Sequence, residues 1–318
     1  MRARRWVATA ICPVFLMGLS APKPAPVDLP ARTHPESVSI APDGVAYVSS
    51  ARGGVLRVDL AAGKVEPWLK PGAYGSASIF GLLVDPARGL LWLCSNDLGA
   101  MGITVEGGEK GSYLKAFDLK TGEGRQSLRL PGDNPLCNDM ALASDGTLYV
   151  TDTNNSHILR LRPGASALED WHHDPAYARQ GRDGLDGIAL GADGHLYINN
   201  FQSGVLARVA RNADGSPGAT TVLATSRPLT MPDGLRALGG LRFAQAEGGG
   251  KITIVTVQGD RAEIETLRDG LQSPTGLDAR DGTIWYVEGA LGFLFNPQLR
   301  DKTPPAFALT PVNENKTD

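Results

Sequence analysis

The chain has few cysteines and histidines and no extended helical pattern. Its 318 residues include 3 cysteines and 5 histidines, which excludes a disulfide-dense scaffold and leaves no ligand spacing typical of zinc. Apolar residues at helical spacing are scarce, whereas 39 glycines and 22 prolines supply many turns. With 42% hydrophobic residues, the length accommodates two domains or one large all-β domain, and the composition favours the second.

An excess of positive charge is also lacking. The formal net charge is −3 at pH 7, and no basic cluster stands out beyond the N-terminal segment. We therefore expect neither a nucleic acid nor an anionic membrane surface as a partner. A small molecule is the expected partner, and the oligomeric state stays open.

The N-terminus has the features of an export signal. Three arginines within the first five residues precede an apolar stretch over residues 6–19, which is too short for a spanning helix and ends in small residues suited to cleavage. We predict a signal peptide at residues 1–20, followed by a flexible segment at residues 21–33. The mature protein would be periplasmic or secreted, without membrane attachment. The alternative is an uncleaved membrane anchor.

Three segments share one pattern of polar residue, apolar strand, Asp-Gly turn and tyrosine-containing strand. They are ESVSIAPDGVAYVSS from Glu36, NDMALASDGTLYVTD from Asn138 and DGIALGADGHLYINN from Asp186. In each segment the polar leading residue stands seven positions before the Asp of the turn. A further turn at Asp281-Gly282 and weaker copies in the gaps give a spacing of about 48 residues, the length of a four-stranded propeller blade.

The repeat predicts an all-β fold, a six-bladed β-propeller with four-stranded blades around a central channel. The predicted propeller covers residues 34–312, and residues 313–318 form a C-terminal tail. Because the innermost strand of each blade lines the channel, the leading residues converge at one mouth. Their predicted positions are Glu36, Gly81, Asn138, Asp186, Asp233 and Thr275.

Four of these leading residues carry carboxylate or amide oxygens: Glu36, Asn138, Asp186 and Asp233. Three carboxylates in a partly desolvated channel repel one another, and a bound cation relieves that repulsion. Oxygen ligands in a flexible channel mouth favour Ca²⁺, with another divalent cation as the alternative. Without a metal, Asn and Asp open strands simply because they satisfy backbone groups in turns.

Other features near the predicted mouth leave two interpretations open. Residues that follow the second strands either support the ring from behind or lie exposed at strand ends; they are Asn199, Asn200, Glu247 and Glu288. Cys94 and Cys137 form a disulfide or are buried separately. The glycine-rich segment 96–117 is either a cover over the mouth or an insertion without a role.

The contexts HPESV, LCND, LDGIAL and PDGLR, with PDG, SDG and ADG turns before LYV-type strands, resemble the senescence-marker-protein and gluconolactonase family of six-bladed propellers over residues 34–300. The resemblance implies a calcium-dependent enzyme, a lactonase or esterase, with Glu36, Asn138 and Asp233 as ligands. Asp186 departs from the family's second asparagine. Leu136 stands where sugar-lactone members often carry arginine, which weakens the expectation of a sugar lactone.

The implied reaction is hydrolysis, in which the cation takes the substrate carbonyl oxygen, stabilises the oxyanion and orients water. Asp233 is the implied proton acceptor or, alternatively, a nucleophile, and Asn138 would contact both metal and substrate. A non-catalytic propeller that binds a ligand or protein is the competing interpretation. A quinone-dependent sugar dehydrogenase is less favoured, because no set of His, Arg and Lys suits that cofactor.

Overall fold

The computed structural model describes residues 24–177 and 184–315, which form six antiparallel sheets arranged as blades around a channel. The prediction of a six-bladed β-propeller is therefore confirmed. The predicted signal peptide lies outside the described residues. Within them, no helix has the length and apolar character of a membrane span.

The blades follow one another in chain order, with the inner strand first. Blade one contains β2–β5 and blade two β6–β9, after the short strand β1; the bounds are β1 (Val27–Asp28), β2 (Pro35–Ile40), β3 (Val45–Ser50), β4 (Val55–Asp59), β5 (Lys64–Leu69), β6 (Ser78–Asp85), β7 (Leu90–Asn96), β8 (Ser112–Asp118) and β9 (Gly124–Arg129). Blades three and four contain β10 (Cys137–Leu142), β11 (Leu148–Asp152), β12 (His157–Leu161), β13 (Glu169–His173), β14 (Leu185–Leu190), β15 (Leu196–Asn200), β16 (Leu206–Arg211) and β17 (Pro217–Val222).

The last two blades depart from this simple arrangement. Their bounds are β18 (Ala224–Thr225), β19 (Pro232–Gly239), β20 (Arg242–Glu247), β21 (Lys251–Gln258), β22 (Arg261–Arg268), β23 (Pro274–Arg280), β24 (Thr283–Glu288) and β25 (Ala308–Asn313). Blade five contains β19–β22, with β18 added parallel to β22. Short helical turns occur at Ala73–Gly75, Gly99–Met101 and Pro175–Tyr177, together with α1 (Gly292–Phe295).

Blade six is completed by a strand from the opposite end of the described chain. Its order is β1-β25-β24-β23, and Val27 pairs with Leu309. The segment 21–33, expected to be flexible, thus supplies the outermost strand of blade six, and the propeller begins before residue 34. Hydrogen bonds between β1 and β25 complete blade six and close the propeller.

In four blades an Asp-Gly turn joins the inner strand to the second strand, as the sequence predicts. In blade three the Asp145 Oδ1 accepts a hydrogen bond from the Thr147 N–H at 2.9 Å, while Gly146 adopts a positive φ of 83°. Asp43 and Asp193 accept equivalent bonds from the backbone two residues on. These aspartates are turn residues on the side of the propeller away from the leading residues.

Large side chains of the second strands fill the spaces between neighbouring blades. Tyr149 packs edge-on against Trp171 at 4.9 Å within the core cluster shared by blades three and four. Tyr197 packs against Phe243 at 4.6 Å between blades four and five. Trp285 lies among core residues of blade one. The apolar core is therefore divided into layers between the blades, which hold the inner strands in fixed positions.

Each inner strand contains a bulge at its leading residue. The pairing of the inner strand with the second strand shifts there in all six blades. In blade two the shift falls between Ile79 and Leu82, so Phe80 occupies the leading position and the prediction of Gly81 was wrong by one residue. A bulge adds a residue to one strand and re-aims its side chains, which here turns the leading side chains into the channel mouth.

The residue after the leading one is glycine in four blades because neighbouring inner strands approach closely. A Cβ atom at Gly81 would overlap the carbonyl oxygen of Asn138, and a Cβ at Gly187 would overlap that of Asp233. The leading residue of each following blade is thus seated directly against a glycine. This close approach sets the spacing of the ring of leading residues.

We expect Gly187→Ala to lower the free energy of unfolding by about 1–3 kcal/mol, because the added methyl must push Asp233 or β14 aside. Urea denaturation measures the loss. Gly292→Ala is the matched control, since its Cβ would meet no atom closer than Leu299 Cδ1 at 3.8 Å. Equal stability of the two variants would contradict the close packing of the inner strands.

Candidate functional site

The structure brings the four predicted oxygen-bearing residues into one small cavity at the channel mouth. Glu36, Asn138, Asp186 and Asp233 line it and are only 5%, 6%, 6% and 8% exposed. We call these four residues the ring. The cavity holds about 10 Å³, roughly the volume that one water-sized sphere occupies. Thr275 of blade six also lines it.

Two oxygens of the ring are buried without any hydrogen-bond partner. They are Oε2 of Glu36 and Oδ1 of Asp186. A buried polar atom that lacks a partner is costly, and for a carboxylate oxygen the relief must come from a donor or a cation. The donor set of the ring therefore fits a hard cation such as Ca²⁺.

Burial and mutual repulsion shift the ring carboxyls toward their protonated forms. Burial raises the pKa of Asp186 to about 8, and the charge of Asp139 adds to that rise, while hydrogen bonds with Asn138 and Asp233 oppose it. Burial, followed by the charge of Asp186, also raises the pKa values of Glu36 and Asp233. At neutral pH Asp186 therefore retains a proton that a bound cation would displace.

Without a cation, the ring is a proton-loaded site. Asp186 and Asp233 line the same cavity, and burial raises the pKa of each carboxyl. Across residues 24–177 and 184–315, no group of three or more His, Cys, Asp or Glu side chains is arranged to hold a metal ion. Coordination at the ring would therefore require the carboxyls to lose protons and their oxygens to move.

Asn138 is held in the cavity wall by its amide nitrogen. Its Nδ2 donates to Thr153 Oγ1 at 2.9 Å, and that hydroxyl donates to the carbonyl oxygen of Leu185 at 2.7 Å. Asn138 therefore does not serve as a turn residue. Its amide oxygen is the atom suited to accept a hydrogen bond or to coordinate a cation.

A buried ion pair closes the channel below the ring, and the sequence patterns did not reveal it. Arg236 Nη1 donates to Asp139 Oδ2 at 2.6 Å, and its Nη2 donates to the Leu82 carbonyl at 3.3 Å, so one side chain connects blades two, three and five. The Arg236 charge lowers the pKa of Glu36, opposing the larger effect of burial. The sequence features that could have pointed to this ion pair are Asp139 directly after Asn138 and the arginine of the PDGLR segment.

The residues predicted to lie behind the ring divide into two groups. Asn199 supports the ring directly, because its Oδ1 accepts from Gly187 N–H at 2.8 Å and its Nδ2 donates to the Asp233 carbonyl at 2.7 Å. The other three residues hold loops at the mouth; Asn200 accepts from Gln202 and Ser203 N–H, Glu247 pairs with Arg227, and Glu288 accepts from Gln272 N–H.

Apolar side chains cover the mouth above blade two. Leu98 and Ile103, from the segment that joins β7 to β8, pack in one cluster with Phe80 and with Leu294 of α1. Leu136 borders the same cluster. The glycine-rich segment thus covers part of the mouth, and it meets α1 there. We call the side chains of Phe80, Leu98, Ile103 and Leu294 the apolar wall.

Cys94 and Cys137 form a disulfide between blades two and three, which decides between the two interpretations of these cysteines. Cys137 directly precedes Asn138 and is fully buried. Asn96 holds the same backbone, donating to the Cys137 carbonyl at 2.8 Å and accepting from its N–H at 3.0 Å. The disulfide therefore anchors the strand start that presents Asn138.

Comparisons with known proteins agree with the fold. A family model described as strictosidine synthase-like, N-terminal, matches residues 25–58. No curated protein matches the chain. A gluconolactonase from Xanthomonas campestris is 17% identical with a TM-score of 0.65, covering 89% of this chain and 87% of that chain.

Two other solved structures are similar over most of their length. A virginiamycin B lyase from Staphylococcus aureus is 16% identical with a TM-score of 0.59, covering 90% of this chain and 82% of that chain. An aldose sugar dehydrogenase from Streptomyces coelicolor, solved with PQQ bound, is 16% identical with a TM-score of 0.56, covering 92% of this chain and 98% of that chain. At these identities the likeness establishes the fold alone.

We expect the cation-free protein to lose stability as pH rises, because folded Asp186 keeps its proton from its ordinary pKa of 3.8 up to about 8. The unfolded chain binds fewer protons in this window, so the free energy of unfolding falls by about 1.4 kcal/mol per pH unit for each retained proton. Urea denaturation with chelator should show a weaker pH dependence for Asp186→Asn. The control Asp133→Asn, at an exposed position, should follow the wild type.

We expect the Cys94→Ala/Cys137→Ala double variant to lose about 2–4 kcal/mol of unfolding free energy, because the disulfide constrains the unfolded chain. With reductant, the free energy of unfolding of the wild type should fall toward that of the variant. The unfolding free energy of the variant itself should not change with reductant. Mass spectrometry after alkylation without reduction tests the bond directly. Two alkylated thiols in the folded wild type would refute it.

Proposed function

We propose that the protein is an exported, calcium-dependent hydrolase of lactones or related esters. The observation that carries the proposal is the ring, in which three buried carboxyls and one amide share a cavity and two oxygens lack partners. The sequence resemblance to gluconolactonases and the fold shared with a gluconolactonase support this reaction class. Export to the periplasm or medium is supported by the N-terminal sequence.

The ring would hold Ca²⁺ through Glu36, Asn138, Asp186 and Asp233, and the bound ion would polarise the substrate carbonyl as a Lewis acid. Loading requires Asp186, whose pKa burial raises to about 8, to release its proton. Arg236 stays paired with Asp139 beneath the ring, which keeps the floor of the site in place. Another divalent cation is the alternative occupant.

Asp233 is the proposed proton acceptor for the attacking water. Its backbone is fixed by Asn199, whose Nδ2 donates to the Asp233 carbonyl, and burial raises the pKa of its carboxyl, which favours proton uptake. The Asn138 amide lies across the same cavity and would orient the substrate carbonyl. The apolar wall that includes Phe80 excludes bulk water from this side. Direct attack by Asp233 is the alternative route.

We expect Glu36→Gln and Asp233→Ala to lower kcat/KM for lactones by 10²-fold or more, the usual loss when a charge-stabilising group is removed. The assay uses γ-butyrolactone, δ-valerolactone and phenyl acetate, with Ca²⁺ and with chelator. Glu265→Gln, at an exposed position on β22, is the matched control and should keep the wild-type rate. Circular dichroism verifies that each variant is folded.

Two outcomes would contradict this proposal. Hydrolysis that is insensitive to chelator, or that persists in both ring variants, would remove the ring from the reaction. Absence of hydrolysis with bound Ca²⁺, detected by elemental analysis, would favour a non-catalytic binding propeller instead. A cofactor absorbance in the purified protein would favour the dehydrogenase interpretation.

A further inference from the structure

A second and much larger cavity opens on the same face of the propeller as the ring. It has a volume of about 670 Å³ and lies where blades one and six meet. Its walls come from the approach to β2, from the turn between β3 and β4, and from residues 293–307 between β24 and β25. All three connections lie at the end of the propeller where the inner strands begin. His34 lines this cavity and stands two residues before Glu36 of the ring.

The cavity is strongly basic although the whole chain is slightly acidic. Four cationic side chains line it against one carboxylate, that of Asp301; they are Arg32, Arg52, Arg300 and Lys302. We call this cavity the basic pocket. Concentrated charge of one sign in a concave surface attracts small ions of the opposite sign. The basic pocket therefore favours an anionic ligand.

Two of these cations have no counter-charge among the residues that the structure describes. Among residues 24–177 and 184–315, neither Arg32 nor Arg52 forms an ion pair, and neither guanidinium donates a hydrogen bond. Burial lowers the pKa of Arg52, and the charge of Arg32 lowers it further. The two guanidinium groups thus repel each other, and because both residues are exposed, that repulsion is screened by solvent and not by a carboxylate of the described residues.

The ring does not supply the missing counter-charge. The cation that acts on Glu36 is Arg236, which lies beneath the ring, and the other charges that act on Glu36 are carboxylates. His34 adds no third charge, because burial and the two arginines lower its pKa. The basic pocket and the ring share no lining residue, although the two are close in sequence and on the same face.

The backbone around the basic pocket is strained. Arg32 has a φ of 67°, His34 a φ of 43° and Ala290 a φ of 47°, values that residues other than glycine seldom adopt. The His34 ring is fixed between the Gly289 carbonyl, 3.1 Å from Nδ1, and the side chain of Phe307. Such conformations persist only where the surroundings impose them, and they concentrate at ligand sites.

The size and lining of the basic pocket suit a small organic anion. Cavities that bind small molecules usually have volumes of about 300–1,000 Å³. Phe293, Phe307 and Leu29 give an apolar surface for a hydrocarbon portion. The planar guanidinium groups of Arg32 and Arg52 match the paired oxygens of a carboxylate or a phosphate.

We propose that the basic pocket binds the carboxylate or phosphate group of an anionic substrate through Arg32 and Arg52, while the carbonyl of that substrate reaches the ring. The substrate class is then a lactone or ester that carries a negative charge away from its reacting carbonyl. The assignment of a reaction rests on the proposed function, whereas binding of the anion rests on the basic pocket alone.

Calorimetric titration with glutarate and with propyl phosphate tests the binding step without any turnover. We expect one of these anions to bind the wild type, and Arg32→Gln and Arg52→Gln each to raise its Kd about tenfold, the loss of one charged hydrogen bond. Arg261→Gln, which replaces an exposed arginine on β22, is the matched control and should leave the Kd unchanged. The anion that binds more tightly identifies the preferred group.

A kinetic comparison tests the link to the ring. We expect kcat/KM to be higher for 5-oxotetrahydrofuran-2-carboxylate than for γ-butyrolactone. The ratio of these two kcat/KM values should fall about tenfold in Arg52→Gln but not in Arg261→Gln. Unchanged Kd values in both arginine variants, or no binding of either anion by the wild type, would contradict the proposal that the basic pocket binds an anion. Anion binding without hydrolysis of any lactone would support that proposal and contradict the proposed function.

Discussion

Closure of the propeller holds like charges together, and the chemistry of the mouth depends on this constraint. Each leading residue is seated against the inner strand of the preceding blade, with glycine at several of the contacts. Because β1 pairs with β25, the blades cannot spread apart to relieve repulsion. The carboxyls of Glu36, Asp186 and Asp233 must therefore bind protons or a cation, and this necessity links the fold to the proposed activity.

The charges of the mouth are arranged in separate zones. The ring is acidic, Arg236 and Asp139 form a closed pair beneath it, and the basic pocket lies to one side with four cationic side chains and one carboxylate. An apolar wall that includes Phe80 stands above blade two. A ligand with a polar carbonyl, an apolar body and a remote negative charge would have one group for each of these zones. This correspondence is stronger support for a small-molecule site than any one zone alone.

The repeat was sufficient to predict the blades and the meeting of Glu36, Asn138, Asp186 and Asp233, because equivalent positions of a closed propeller must converge at the channel. The leading residue of blade two was misplaced, since a bulge is defined by strand pairing and Gly81 interrupts the polar pattern. The metal, the catalytic roles and export stay predictions.

Other features depended on contacts between distant segments. Arg236 pairs with Asp139 across the channel, and the two stand in different repeats, so neither pattern points to the other. The basic pocket combines residues from three connections, where no repeat applies. The disulfide was one of two interpretations because the sequence places both cysteines near the mouth without fixing their separation.

The pairing of Val27 with Leu309 also has a consequence for how the chain folds. Strands within a blade are neighbours in sequence and can pair early, whereas the outermost strand of blade six must wait until the last blade exists. Contacts between such remote segments carry a large loop-closure entropy and slow the folding of β-rich proteins. We therefore expect the pairing of β1 with β25 to form late in folding. Until it forms, blade six presents an unpaired edge that is prone to intermolecular pairing.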